Sequence, residues 1–265
     1  MKTIQNVLIE LLSEIDTICN ENGITYCLAG RTAESAYLKG IIEEYDTEVI
    51  LLMTAENASK FIDATAEGLP RNRSVESMLN NPLFPNFGIH YTATDTLYYP
   101  LSNTSKYTIR DQGIHIRIEI IRTELHSKFR RAFNDMQEIG WRCNQNPYMG
   151  LANPKRFISM VVVRIMMIMG KKNLARHLFN KWARVFDENV DSNSSKNKLY
   201  IRPRIRKIMI DKSVVTLMPR TVTLSGVRLP VPRSIFSYAK YDISGKKWPK
   251  YDPDVIIKQL DSFHA

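Results

Sequence analysis

Two acidic residues, Asp46 and Glu48, stand two positions apart in a segment whose next residues, Val49 and Leu51, continue the alternation expected of a β-strand. Successive side chains of a strand point to opposite faces, so both carboxylates are expected on one face. Two carboxylates on one face can bind one divalent cation, because Mg²⁺ prefers oxygen ligands. The pair therefore indicates a Mg²⁺ or Mn²⁺ site, while an ordinary solvated strand face is the alternative.

A third acidic residue, Glu119, lies in the strictly alternating segment GIHIRIEIIR. One face of the predicted strand carries Ile114, Ile116, Ile118 and Ile120, and the other carries His115, Arg117 and Glu119. Carboxylates from two neighbouring strands suffice for one or two Mg²⁺ ions, which would hold a pyrophosphate and activate a hydroxyl for in-line attack. Glu119 therefore joins Asp46 and Glu48 as a candidate metal ligand and catalytic residue.

A glycine turn supplies the other half of the candidate site. Gly30 follows the β-type run ITYCLA and precedes a helix predicted over residues 32–38. Backbone N–H groups at a helix N-terminus can bind phosphate, the hydroxyl of Thr32 can donate to it, and Arg31 adds a positive charge. These residues are candidates for phosphate binding, although a glycine between a strand and a helix also serves as a plain turn.

The surrounding sequence predicts the elements that position these residues. Apolar residues at intervals of three and four predict an amphipathic first helix ending near Gly23, and Thr54 is the expected N-cap of the helix after the acidic strand. Short strands are expected around NFGIHYTAT and TVTLSGVRL. Further helices are predicted over residues 123–137, 155–170 and 172–187, and from about Pro253.

The composition is that of a globular protein with an anionic partner. The net charge of +10 favours nucleotides, nucleic acid, anionic lipid or phosphorylated polymers. Three cysteines without metal-ligand spacing argue against a disulfide framework or a zinc site and favour a reduced, cytoplasmic compartment. The N-terminal segment lacks the apolar run and small-residue cleavage site of a signal peptide, so secretion is not expected.

The most apolar segment of the chain, FISMVVVRIMMIMG, covers residues 157–170 and contains Arg164. It is shorter than the roughly 20 apolar residues that a membrane-spanning helix needs. The segment is predicted to be a buried helix, with peripheral contact to a membrane surface as the alternative.

The order and spacing of these features resemble the nucleotidyltransferase fold shared with polymerase β. Within that fold, the chain is similar to the LicD family of phosphocholine and related phosphodiester transferases. The resemblance runs in order along nearly the whole chain, in the segments LAGRTAESAYLKGII, YDTEVILLMTAENASKFI, GIHIRIEIIR and GVRLPVPRSIFSYAKYD.

This resemblance implies an α+β fold, with a mixed sheet flanked by helices in a nucleotidyltransferase-like core over residues 1–150. A helical region with short strands would follow over residues 151–265. The implied activity is Mg²⁺-dependent transfer of a phosphorylated alcohol, such as phosphocholine, from a CDP-activated donor to a hydroxyl of a sugar, glycan or phosphorylated polymer. A catalytically inactive relative that only binds its ligands, and a nucleic-acid-binding protein, are the alternatives.

The resemblance also assigns roles to individual positions. Asp46 and Glu48 match the metal-binding acids of the family, with Glu48 in place of an aspartate. Arg31 stands where the family has a second glycine, and Lys39 is what remains of a basic motif. The third acidic position falls either on Arg117 or, with a shift of two residues, on Glu119, which is preferred as the one carboxylate of that strand. The implied metal and catalytic set is Asp46, Glu48 and Glu119, and the implied phosphate-binding set is Gly30, Arg31, Thr32 and Lys39.

Overall fold

The computed structural model has an α+β fold, in which helices flank a mixed β-sheet. It describes residues 3–43, 49–66, 68–82, 84, 87–99, 113–123, 127–145, 150–151, 153–187, 199–201, 208–210, 220–232 and 256–259. The helices are α1 (Ile4–Glu21), α2 (Gly30–Lys39), α3 (Ala55–Thr65), α4 (Lys128–Gln145), α5 (Pro154–Met166) and α6 (Lys171–Asp187), with a 3-10 turn at Met167–Met169. The strands are β1 (Cys27–Leu28), β2 (Val49–Thr54), β3 (Arg73–Ser77), β4 (Gly88–Ala93), β5 (Thr96–Tyr99), β6 (His115–Thr123), β7 (Leu199–Ile201), β8 (Ile208–Ile210), β9 (Arg220–Leu224), β10 (Val227–Val231) and β11 (Ile256–Gln259).

The main sheet has the strand order β1-β2-β6-β4-β3, and β7 and β8 extend it from the end of β6. Strands β2 and β6 are parallel, with Val49 opposite Ile116, whereas β1 is antiparallel to β2 and β4 is antiparallel to β6. The strand β6 therefore lies at the centre of the sheet, between β2 and β4.

One face of the sheet carries the main hydrophobic core. The odd-numbered residues of β2 and the isoleucines at even positions of β6 point into it, as the alternation of β6 predicts. Helices α1, α3 and α6 cover this face with Leu8, Phe61 and Phe179 among their buried side chains. Alternation in the sequence thus determines which side of the sheet the helices cover.

A buried ion-pair network fastens α4 to the sheet. The guanidinium of Arg122, at the end of β6, donates from both Nη atoms to the carboxylate of Glu138 at 3.0 Å each. Arg142 donates to the same carboxylate at 3.3 Å, and the rings of Phe87 and Tyr200 lie 4.5 and 5.0 Å from the Arg122 guanidinium. The buried charges are thus both paired and stacked, which offsets the cost of removing them from water.

Residues from both sides of the predicted boundary at position 150 contribute to the main core. Leu178 and Phe179 of α6 and Leu229 of the β9–β10 hairpin pack in the same cluster as α1 and β2. The hairpin also donates Ser225 N–H to the carbonyl of Gly40, just after α2. The C-terminal elements therefore share the core of the sheet.

Three sequence predictions differ from the structure. The helix expected over residues 123–137 runs instead over Lys128–Gln145, because β6 continues to Thr123, where it pairs with β7. The helix expected from Pro253 is wrong for Ile256–Gln259, which form a strand against β5. The apolar segment predicted to be a buried helix is buried on one side only.

Among the helices of the described part of the chain, none is long and apolar enough to cross a membrane.

Candidate functional site

Three strand ends meet at one edge of the main sheet. Leu28 of β1 lies opposite Leu51 of β2, and the next residue, Ala29, donates its N–H to the carbonyl of Ile50 at 2.9 Å. The chain therefore leaves β1 beside the beginning of β2. Because β6 is parallel to β2, its first residues lie at the same edge, with Val49 opposite Ile116. This sheet edge is the place where the sequence predicts the site.

Helix α2 begins at this sheet edge. Gly30 has a φ of 59°, a left-handed conformation that favours glycine, and this turn starts the helix directly after β1. The N-cap residue Ala29 provides no side-chain hydrogen bond to the first N–H groups of α2. Thr32 is buried in the first turn, and Arg31 is half-buried. The structure thus brings the predicted residues Gly30, Arg31 and Thr32 to the beginning of β2.

The acidic residues Asp46 and Glu48 lie outside the described residues. The strand that follows them agrees with the prediction, since Val49 and Leu51 point into the main core. Ile50 and Leu52 point to the opposite face of the sheet, where they pack with Cys27 and other apolar residues of a second, smaller cluster. The even-numbered residues of β2 therefore lie on the face that carries this second cluster.

Glu119 lies on the same face, buried against an arginine. Arg117 and Glu119 are 7% and 4% exposed, and the Nε atom of Arg117 is 2.9 Å from Oε1 of Glu119. Arg117 is opposite Ile50 and Glu119 is opposite Leu52. With about 3.3 Å per strand residue, Glu119 lies roughly 10 Å beyond the level of Val49. Of the two candidates for the third acidic position, Arg117 is thus nearer to the sheet edge.

Two histidines, His90 of β4 and His115 of β6, lie on the same face of the sheet as Arg117 and Glu119. Their rings stack with 4.3 Å between centroids, and the ring of Phe84 meets His90 edge-on at 4.8 Å. His90 is opposite Arg117 in the register, and its buried Nε2 atom has no hydrogen-bond partner among the residues that the structure describes. Burial, together with the nearby charges of His115 and Arg117, lowers the pKa of His90 well below its ordinary value. The neutral imidazole is therefore the stable form in the folded protein.

His90 was not among the predicted site residues, and Arg117 was predicted only as the alternative to Glu119 at the third acidic position. Each carries a signal in the sequence, because each alternates with buried apolar residues and so must share one face of its strand with its polar neighbours. The pairing of β4 with β6, which brings His90 to Arg117, depends on a contact between distant segments. A single strand pattern does not contain that information.

Lys39 lies away from the beginning of α2. It is in the last turn of the helix, about 13 Å along the axis from Gly30 at 1.5 Å per residue, and its ammonium contacts the carboxylate of Glu43. The structure therefore does not bring Lys39 to the N–H groups that would bind phosphate.

The donor set for a cation depends on the segment before β2. Within the part of the chain that the structure describes, no three His, Cys, Asp or Glu side chains form a group able to hold a metal ion. Glu119 is already paired with Arg117, so it fits such a site only as a carboxylate shared with a guanidinium. The described residues do not by themselves fit Mg²⁺, and the fit rests on Asp46 and Glu48.

Comparison with family models, with curated proteins and with solved structures found no match to this chain.

Proposed function

We propose that the protein is a Mg²⁺-dependent transferase that moves a phosphorylated alcohol, such as phosphocholine, from a CDP-activated donor to a hydroxyl of a sugar or glycan. The observation that supports this proposal best is the junction at the sheet edge. There the first residues of α2, β2 and β6 come together, and Arg117 is one of the first residues of β6. The helical N-terminus and the guanidinium both favour an anionic ligand.

In this proposal the two halves of the site have separate tasks. Asp46 and Glu48 would hold the cation, which when bound would neutralise the phosphates of the donor. The first N–H groups of α2, with Arg31, would bind a phosphate oxygen. Glu119 would hold the guanidinium of Arg117 in place beside the phosphates, because their side chains are already paired. The half-buried Arg31 would then add the second positive charge.

The thermal stability of the protein tests this proposal. CDP-choline together with Mg²⁺ or Mn²⁺ is expected to raise the melting temperature, since a ligand that binds only the native state stabilises it. Asp46→Asn should remove the shift, and Asp63→Asn, on the exposed side of α3, is the matched control that should keep it. No shift with any combination of metal and CDP-alcohol would contradict the transferase proposal.

A second candidate function is ligand binding without turnover, and the Arg117–Glu119 pair favours it specifically. Replacement of a metal-binding acid by an arginine at the third position would exchange a cation site for a fixed positive charge that binds phosphate directly. In that case cytidine nucleotides would raise the melting temperature equally with Mg²⁺ or with a chelator. Transfer of radiolabelled phosphocholine to an acceptor distinguishes the two functions, because only the transferase produces it.

A further inference from the structure

Helix α5 has apolar side chains on the side that faces water. Phe157, Ile158, Val161, Ile165 and Ile168, here called the α5 apolar stripe, are between 37% and 82% exposed. At 100° per residue they fall within a sector about 100° wide that continues from α5 into the following 3-10 turn. The opposite side of the helix buries Ser159, Met160 and Val163. The stripe is therefore a second apolar surface of a helix whose core contacts are already made.

The exposed position of the α5 apolar stripe is fixed by close packing on the other side of the helix. A Cβ atom on Gly140 of α4 would lie 2.1 Å from the carbonyl oxygen of Ser159, so the two backbones touch at this crossing. Asn144 donates to the carbonyls of Gly140 and Met160 at 2.8 Å each, and Asn153 caps the first turn of α5. Rotation of α5 to bury the stripe would break these contacts.

Positive charges lie beside the α5 apolar stripe and predominate in the sequence around it. Lys155 and Arg164 flank it on the helix itself, and both are exposed. From Ser127 to Lys181 the sequence has eleven Lys and Arg residues against two acids. Glu138 and Arg142 are both buried and paired with each other, so ten basic residues and one acid remain outside this pair. This part of the chain therefore carries a net positive charge, and Lys155 and Arg164 lie beside the stripe.

We propose that the α5 apolar stripe docks on the surface of a membrane that contains anionic phospholipids. The stripe would insert between the headgroups with α5 parallel to the surface, while Lys155 and Arg164 would contact the phosphates. A second copy of the chain fits less well, because a symmetric dimer would bring Lys155 and Arg164 of both copies close to one another. The proposal does not depend on the transferase activity.

Flotation of the full chain with vesicles tests this docking. The protein should float with vesicles of phosphatidylcholine and phosphatidylglycerol and remain behind with vesicles of phosphatidylcholine alone. The double variant Ile158→Gln/Ile165→Gln should lose about a hundred-fold in partitioning, because each of the two buried side chains contributes roughly ten-fold. The matched control Leu38→Gln/Ile41→Gln replaces two exposed apolar residues outside α5 and should bind like the parent protein.

A second pair of variants tests the role of charge. Arg164→Gln should weaken binding to the anionic vesicles about five-fold, as expected for one basic residue near such a surface, while Arg71→Gln should leave it unchanged. Equal binding to both kinds of vesicle, or binding that survives in the Ile158→Gln/Ile165→Gln variant, would overturn the proposal. So would a dimer in light scattering that Ile158→Gln/Ile165→Gln converts to a monomer, because the stripe would then be an interface between copies. Circular dichroism of each variant confirms that it is folded.

Discussion

Arg117 and Glu119, two residues apart on the central strand β6, form a buried ion pair with 2.9 Å between Nε and Oε1. Both side chains lie on the face of the sheet opposite the main core, beside Ile50 and Leu52 of β2. The pair sets the charge of this face, since an acid that would otherwise attract a cation is neutralised by its neighbour. Any ligand that reaches this face therefore meets the pair together.

Loss of one partner of this pair should destabilise the protein strongly. Arg117→Leu removes the guanidinium that lies 2.9 Å from the buried carboxylate of Glu119, so the free energy of unfolding should fall by about 3–5 kcal/mol. The double variant Arg117→Leu/Glu119→Leu removes both charges and should recover most of that loss. Urea unfolding measures the free energy of unfolding of the parent protein, of Arg117→Leu and of the double variant. A double variant that is less stable than Arg117→Leu would show that the pair is not the unit of stability.

The buried imidazole of His90 should make stability depend on pH. Its pKa is lowered below the ordinary value of 6.5 in the folded state, mainly by burial. As the pH falls below about 6.5, the imidazole of His90 binds a proton in the unfolded chain but not in the native state. Protons therefore favour unfolding. The free energy of unfolding should therefore decrease from pH 7.5 to pH 5.5. The variant His90→Gln should show a smaller decrease, and parallel curves for the two proteins would contradict this origin.

The contact between α4 and α5 should not tolerate a side chain at position 140. Gly140→Ala places a methyl group against the carbonyl of Ser159, and the helices must move apart. We expect a loss of about 1–3 kcal/mol in the free energy of unfolding, typical of an overpacked core. Gly68→Ala is the matched control, because in the described part of the chain no atom beyond its sequence neighbours lies within 4 Å of the added Cβ atom. Urea unfolding should show equal losses only if the crossing is not close.

Arg122 should not be replaceable by lysine. Its planar guanidinium makes two parallel hydrogen bonds to Glu138 and lies over the rings of Phe87 and Tyr200. An ammonium is a point charge that cannot make the paired hydrogen bonds or stack flat on a ring. Arg122→Lys should lower the free energy of unfolding by about 2 kcal/mol or more, the worth of a lost charged hydrogen bond. Arg228→Lys, at an exposed position, should change it little. Equal stability of the Arg122→Lys variant and the parent would contradict a stabilising role for the two parallel hydrogen bonds from Arg122 to Glu138.

Much of the sheet could be predicted from local sequence patterns. The alternation of isoleucines in β6 correctly predicts which residues enter the main core, because side-chain direction in a strand repeats every two residues. Thr54 accepts a hydrogen bond from the N–H of Asn57, as its predicted N-cap role requires. These features depend on neighbours within a few positions, and the chain contains that information directly.

The remaining features depend on contacts between distant segments. The end of β6 at Thr123 requires β7, and the strand Ile256–Gln259 requires β5, so neither could be read from the local pattern. The burial of Glu119 beside Arg117 was also beyond prediction, because an alternating polar face is usually solvated. The predicted roles of Asp46, Glu48 and Glu119 as metal ligands remain predictions.

A crystal soaked with Mn²⁺ and a cytidine nucleotide tests the central proposal most directly. The transferase proposal predicts an anomalous Mn²⁺ peak that contacts Asp46 and Glu48, with the nucleotide phosphates between that ion and the beginning of α2 at Gly30. A nucleotide bound at Arg117 with no metal peak would instead support binding without turnover. A crystal that holds neither metal nor nucleotide at this edge of the sheet would contradict the proposed site.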